Sequence, residues 1–374
     1  MPQSITSTRR TKKKPIYAIG DGLRTYLRKF GREEALPLTY DKMCEYMDSA
    51  PLIDSKGQDT LWETVVYPHD QMQDISRRLT QIYAILKAEG ETRVMDHLYC
   101  DRVDYCTFGN THPFRVRIVN ARNDNQDYYY IKRADASRLY GLELEHLLSP
   151  NRMHYITCGD TLIEEHVVGI PGDVFIDRYL GDPPVKNIRL AKELVKFNER
   201  CFIRLLGDMR SYNFVFVLTP DFEETQVRIR AMDFDQQSYS GRKTFYMPQY
   251  FKENNPFVFF CLEELERETA YQYQREEQAL IHRRRQSVRH RVNRLLNFMC
   301  QDRVAPPEKV MQLRAELAGH YGNPNFLACE CMGQIVWESL ETISRNLHKG
   351  LDATPEPTIL RQPSPDDRDP VDGG

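Results

Sequence analysis

Three side chains in the middle of the chain have the types and spacing of phosphoryl-transfer chemistry. Gly207-Asp208-Met209-Arg210-Ser211-Tyr212-Asn213 follows an apolar helix-like run and precedes an apolar strand-like one, Phe214-Val215-Phe216-Val217-Leu218. About twenty residues on comes Met232-Asp233-Phe234-Asp235. An Asp followed five positions later by an Asn, with an Asp-Phe at the end of the next strand, can direct one carboxylate at an attacking hydroxyl. The Asn and the second Asp can then hold Mg²⁺ on nucleotide phosphates. Asp208 and Asn213 also have a plainer reading, as turn-formers between a helix and a strand.

Elements that would carry these residues can be read from periodicity. Phe114–Val119 alternates apolar and polar residues, as a half-buried strand does. A polar turn follows, and then Tyr128–Lys132, aromatic and β-branched, which completes a hairpin ending on Lys132. Asp135 or Ser137 can cap the next helix, expected over 138–148, which Ser149-Pro150 ends. Residues 155–157 and 161–168 read as strands, and Gly169-Ile170-Pro171-Gly172-Asp173 as a turn. Residues 188–206 carry strong helical spacing through Ile188, Ala191, Leu194, Val195 and Phe202. Upstream, residues 21–49 and 66–89 also carry helical spacing, so 16–95 is expected to be a helical N-terminal extension. Residues 262–298, 308–319 and 332–348 are expected to be helical. A basic tail over 1–15 and a Pro- and Asp-rich end over 350–374 are expected to be disordered.

The resulting order is a strand hairpin with a lysine, a helix with glutamates, a strand, a linker, a helix, an Asp-x₄-Asn loop, a hairpin and Asp-Phe. It resembles the protein-kinase-like superfamily over roughly residues 100–300. Gly207-Asp208, where many members have His-Arg-Asp, is nearest the aminoglycoside and choline phosphotransferase branch and its atypical kinase relatives. The resemblance implies an α+β, two-lobed fold with a small antiparallel-sheet lobe over 96–167 and a larger, mostly helical lobe over 168–349.

It also implies roles. Lys132 would hold the α- and β-phosphates of ATP, paired with a carboxylate on the next helix. Glu143 and Glu145 both qualify; Glu143 is preferred, because it shares a stripe with Leu139 and Leu147 at i±4. Residues 164–167, with Glu165, His166 and Val167, would form the hinge whose backbone binds adenine, and Gly109 would lie in the phosphate loop. Asp208 would orient or deprotonate the acceptor hydroxyl. Asn213 and Asp233 would ligate Mg²⁺, with Asp235 as a further ligand or a helix cap. Departures from the family pattern are clear. No Gly-x-Gly-x-x-Gly precedes the hairpin, Asp235 stands where the family has Gly, and Tyr246–Lys252 replaces Ala-Pro-Glu. The acceptor is therefore expected to be a small hydroxyl compound rather than a peptide.

Composition sets the outer limits. The 374 residues are 41% hydrophobic and 28% charged, a globular balance. A formal net charge of −3 provides no global field that would select nucleic acid or membrane. No apolar run reaches membrane-spanning length, and no apolar segment follows the basic N-terminus. The nine cysteines are scattered and lack a Cys-x-x-Cys pair, consistent with reduced thiols in the cytoplasm. Two other readings remain. One is a nucleotide-binding pseudokinase, motivated by the missing glycines. The other is a scaffold that grips nucleic acid or a partner through Arg283–Arg285, Arg291 and Arg294, opposed by the Glu-rich stretch just upstream.

Overall fold

Alternating apolar residues build the first half of the chain around one sheet. The computed structural model describes residues 14–54, 56–88, 97–108, 111–222 and 224–349. Seven strands are β1 (Asp48–Ile53), β2 (Asp59–Val66), β3 (Leu98–Cys106), β4 (Phe114–Asn120), β5 (Gln126–Arg133), β6 (Tyr155–Cys158) and β7 (Thr161–Glu165). Their order is β1-β2-β3-β4-β5-β7-β6, with every neighbouring pair antiparallel. Phe114, Val116 and Ile118 of β4, Tyr129 and Ile131 of β5 and Ile163 of β7 face one side. There they pack on Ile75, Leu79, Ile82 and Leu86 of helix α3 (His69–Ala88). The opposite face of β5 and β7 therefore presents residues 130, 132, 162 and 164.

The expectation of a wholly helical N-terminal extension fails between residues 48 and 66. Helices α1 (Asp21–Lys29), α2 (Tyr40–Met43) and α3 are present, but β1 and β2 form a hairpin that widens the sheet. Gly57, at φ 77°, supplies the left-handed residue of its turn. The extension is also divided between two cores. Leu23, Tyr26 and Leu27 of α1 join the helical body, whereas α2 and α3 belong with the sheet. Of the basic tail, Lys14 is in place, with its amine 2.9 Å from Asp135. Residues 1–13 and 350–374, expected to be disordered, lie outside the described residues.

The second half is mostly helical. It contains β8 (Ile170–Pro171), α5 (Gly172–Arg178), α6 (Asn187–Arg204), the β9–β10 hairpin (Phe214–Thr219 and Gln226–Ala231), α7 (Asn255–Glu264), α8 (Arg267–Ser287), α9 (Arg289–Gln301), α10 (Pro307–Tyr321) and α11 (Met332–Lys349). Stacked Phe175 and Phe216, with centroids 4.0 Å apart, seat α5 on the small sheet β10-β9-β8. Gly172 is required here, because a Cβ would stand 2.5 Å from the carbonyl oxygen of Ser211. The Gly-Ile-Pro-Gly segment is thus more than a turn: it forms β8 and brings α5 against the loop that carries Asp208. Helix α4 (Ala136–Leu148) is buried along nearly its whole length between sheet and helices. Together these elements make an α+β protein. None of the described helices is long and apolar enough to cross a membrane.

Candidate functional site

Sheet register brings the first two charges together. Tyr130 pairs with Glu164 and Lys132 with Leu162, so Lys132 and Glu164 are diagonal neighbours on the face turned away from α3. The Lys132 amine donates to Glu164 Oε2 at 2.8 Å. Asp135 caps α4, accepting from the backbone N–H of Arg138 at 3.1 Å. That start point turns Arg138, fully buried, into the same space. Its guanidinium donates to both oxygens of Glu164, one of them through Nη2 at 2.7 Å. Through Nη1 it also donates to Asp233 Oδ1 at 2.8 Å and to Asp235 Oδ1.

The β9–β10 hairpin delivers the remaining groups. Phe214 is paired with Ala231, so the residue entering β9 and the residue leaving β10 are adjacent. The N–H of Met232 donates to the carbonyl of Asn213 at 2.9 Å. Asn213 gives its amide N–H to the carbonyl of Asp208 at 2.7 Å, closing the Asp208–Asn213 loop. Asp208 occupies left-handed backbone space at φ 58°, a conformation that Asp tolerates better than most residues. Arg210 Nε donates to its carboxylate at 2.9 Å, while the same guanidinium reaches Glu253 at 2.6 Å and lies over the Phe251 ring.

Electrostatics separate the four carboxylates. Burial would raise Glu164, but Arg138 and then Lys132 outweigh it and hold the carboxyl down at about 2. Asp233 is likewise held below its ordinary value by Arg138 and Lys132, against burial. Asp235, only 13% exposed, is raised by burial and by Asp233, with Arg138 opposing. Asp208 is pushed up to about 6, mainly by burial, with Arg210 opposing and Asp233 adding to the rise. A group of carboxylates with values driven apart in one cluster is what acid–base chemistry near neutrality needs.

Lys132, Asp233 and Asp235 therefore meet through Arg138 and Glu164, and Asp208 and Asn213 adjoin them. The lysine partner is corrected: it is Glu164, not Glu143 or Glu145. Glu143 lies fully buried elsewhere along α4, accepting from Tyr26 at 2.5 Å, Tyr155 at 2.8 Å and Arg291 at 2.8 Å. Arg32 approaches the same carboxylate within 3.3 Å. Glu145 pairs with Arg204 and accepts from Ser149 and Asn151. The i±4 stripe identified buried glutamates correctly, but what buries them is a set of structural ion pairs. Glu164, the first residue of the expected hinge, lies within β7 and turns its side chain into the charge cluster. Glu165 points to Lys87 at 2.6 Å, His166 to the Tyr130 hydroxyl at 3.1 Å, and Val167 is buried. Gly109 lies outside the described residues. The residue of the cluster that sequence reasoning missed is Arg138; its position in the first turn of a capped helix, behind a strand lysine, was the available clue.

A Mg²⁺ ion here would need hard oxygen donors. Asn213 and Asp233 offer hard oxygens at adjacent hairpin ends, and the Asp233 side chain remains 35% exposed. Asp235 is taken up as a counter-ion of Arg138. Among the described residues, no group of three or more His, Cys, Asp or Glu could hold a metal by itself. Two protein ligands suit an ion that completes its shell with phosphate oxygens and water. Part of the Arg cluster on α8 and α9 is engaged in ion pairs. Arg284 pairs with Glu277, Arg285 with Glu341 and Arg291 with Glu143, and the helix break at Val288 separates the first two from the third. Set against known proteins, the chain matches no family model and no curated protein, so what this charge cluster does must be argued from its own residues.

Proposed function

We propose that the protein is an ATP- and Mg²⁺-dependent phosphotransferase that moves a γ-phosphoryl group to a hydroxyl of a small molecule. The observation that carries this reading is the convergence of Lys132, Arg138, Asp233, Asn213 and Asp208 on one polar cluster where sheet and helical body meet. The order of elements supports it too: a lysine strand, a buried helix, two further strands, and a hairpin with Asp-x₄-Asn before it and Asp-Phe after it. Lys132 binds and orients the nucleotide phosphates as a cation anchored by Glu164, and the buried Arg138 positions Glu164, Asp233 and Asp235 around it. Asn213 and Asp233 hold Mg²⁺, which, when bound, neutralises charge on the phosphates. Asp208 receives the proton of the acceptor hydroxyl at its carboxylate, and Arg210 fixes that carboxylate in line. Nearly all the catalysis is positioning and charge stabilisation.

A binding-only module is the second reading. The ion pairs from Arg138 to Asp233 and Asp235 favour it, because they already neutralise the carboxylate that a metal would need. ADP release in the presence of pooled sugars and amino-alcohols distinguishes the two. The phosphotransferase reading expects Mg²⁺-dependent ADP release that Asp208→Asn abolishes. Nucleotide binding with no release above buffer for any acceptor pool would leave the binding module.

A further inference from the structure

Away from the charge cluster, the end of α9 and the start of α11 bring two thiols together. Cys300 is the penultimate residue of α9, and Cys331 directly precedes α11. Gly333 permits the approach: a Cβ there would stand 2.6 Å from the backbone nitrogen of Cys300. The two thiols are near enough for each to shift the acidity of the other. Both are partly exposed and line a cavity of about 270 Å³, with Asp302, Arg303 and Glu330 at its wall. Cys329 is different. It is buried, and its Sγ lies 3.9 Å from the carbonyl oxygen of Asn325.

The surroundings distinguish the two sulfurs. The neighbouring Cys300 thiol, together with the backbone N–H groups of Gln334 and Gly333 at the start of α11, holds the Cys331 thiol below its ordinary value, with burial opposing. Cys300 is raised by the neighbouring Cys331 and by burial. Negative charge on the pair therefore collects on Cys331, where helix N–H groups stabilise it.

We propose that Cys331 and Cys300 form a peroxide-reactive dithiol site that closes into an internal disulfide between α9 and α11. The Cys331 thiolate attacks one oxygen of a hydroperoxide. An S–O bond forms and the O–O bond breaks, so the sulfur is oxidised to a sulfenic acid and the peroxide leaves as an alkoxide or hydroxide, which takes up a proton. The Cys300 sulfur then loses its proton and attacks the Cys331 sulfur. The S–S bond forms, the S–O bond breaks and water departs. The net reaction consumes two thiols and one peroxide and yields a disulfide, an alcohol or water, and one further water.

The test uses the full chain, hydrogen peroxide as probe, and maleimide quenching before intact-mass and peptide analysis. The expected result in the unaltered protein is loss of two hydrogens and a single cross-linked peptide pair containing Cys300 and Cys331. Cys300→Ser should accumulate a dimedone-trappable sulfenic acid at Cys331, and Cys331→Ser should give neither product. The unaltered chain decides the matter even where a variant folds poorly. Two free, alkylatable thiols after peroxide treatment, a Cys329–Cys331 cross-link, or dimedone on Cys300 in Cys331→Ser would each overturn the proposal.

Discussion

Asp208 carries the proton-transfer assignment, and its environment makes the assignment measurable. Because burial raises it to about 6, the carboxylate form needed to accept a proton is lost below that pH. Initial phosphotransfer rates should therefore rise as pH increases through about 6 and level off above it. Asp208→Asn should lower turnover by about 10²–10⁴-fold while leaving nucleotide affinity within a factor of a few. Glu143 and Glu164 provide a paired contrast. Glu143→Gln should destabilise the fold by about 3 kcal/mol, as read by urea unfolding, because Arg32 and Arg291 lose their buried counter-ion. Mg²⁺-ATP affinity should not change in that variant. Glu164→Gln should weaken nucleotide binding, since Lys132 and Arg138 lose their anchor. Lys132, Asp208, Asn213 and Asp233 were legible in the sequence because each sits at a strand end or in a loop of recognisable spacing. The partner of Lys132 was not, because it is set by a strand pairing across 32 residues that no local period reveals. Helix spacing could say that Glu143 is buried but not which cations bury it.

At the scale of elements, α4 is the part on which sheet and helices both depend. Arg138 compensates three carboxylates at once, through planar and bidentate geometry that a lysine cannot reproduce. Arg138→Lys should cost about 3 kcal/mol or more in urea unfolding, because at least one buried carboxylate is left unpaired. The α6–α8 interface provides a separate handle. Glu199 of α6 accepts from Gln278 at 2.7 Å and Gln274 at 3.1 Å, forms no ion pair among the described residues, and is raised by burial to about 7. The folded state thus holds this proton more tightly than the unfolded chain. Its stabilisation is complete below the ordinary value of 4.5 and is lost as pH rises towards about 7. Glu199→Gln should remove that loss, so its stability advantage over the unaltered protein grows between pH 5 and pH 8, by roughly 3 kcal/mol at most. A difference that stays flat with pH would refute the buried neutral carboxyl. The helices α6 and α8 to α11 and the strands β4 to β7 were readable because their apolar stripes are long or strictly alternating. The β1–β2 hairpin was not: β1 is the edge strand and β2 buries only one residue fully, so burial imposes little apolar alternation on them.

At the scale of the whole molecule, the account rests on one junction. Sheet and helical body each contribute residues that are inert alone: Lys132 and Glu164 from one, Asp208, Asn213 and Asp233 from the other, with Arg138 of α4 between them. The general order of elements across this junction could be read from the chain, whereas the ion-pair network that closes it required three-dimensional pairing. A ligand that binds only the folded junction should be detected as heat and as added stability. The most direct test is calorimetric titration of the full chain with ATP, with and without Mg²⁺, alongside Asp233→Ala. The account predicts saturable one-to-one binding that tightens with Mg²⁺ in the unaltered protein and loses that Mg²⁺ dependence in Asp233→Ala. Binding that is absent altogether, or equally strong with and without Mg²⁺ in both proteins, would contradict it.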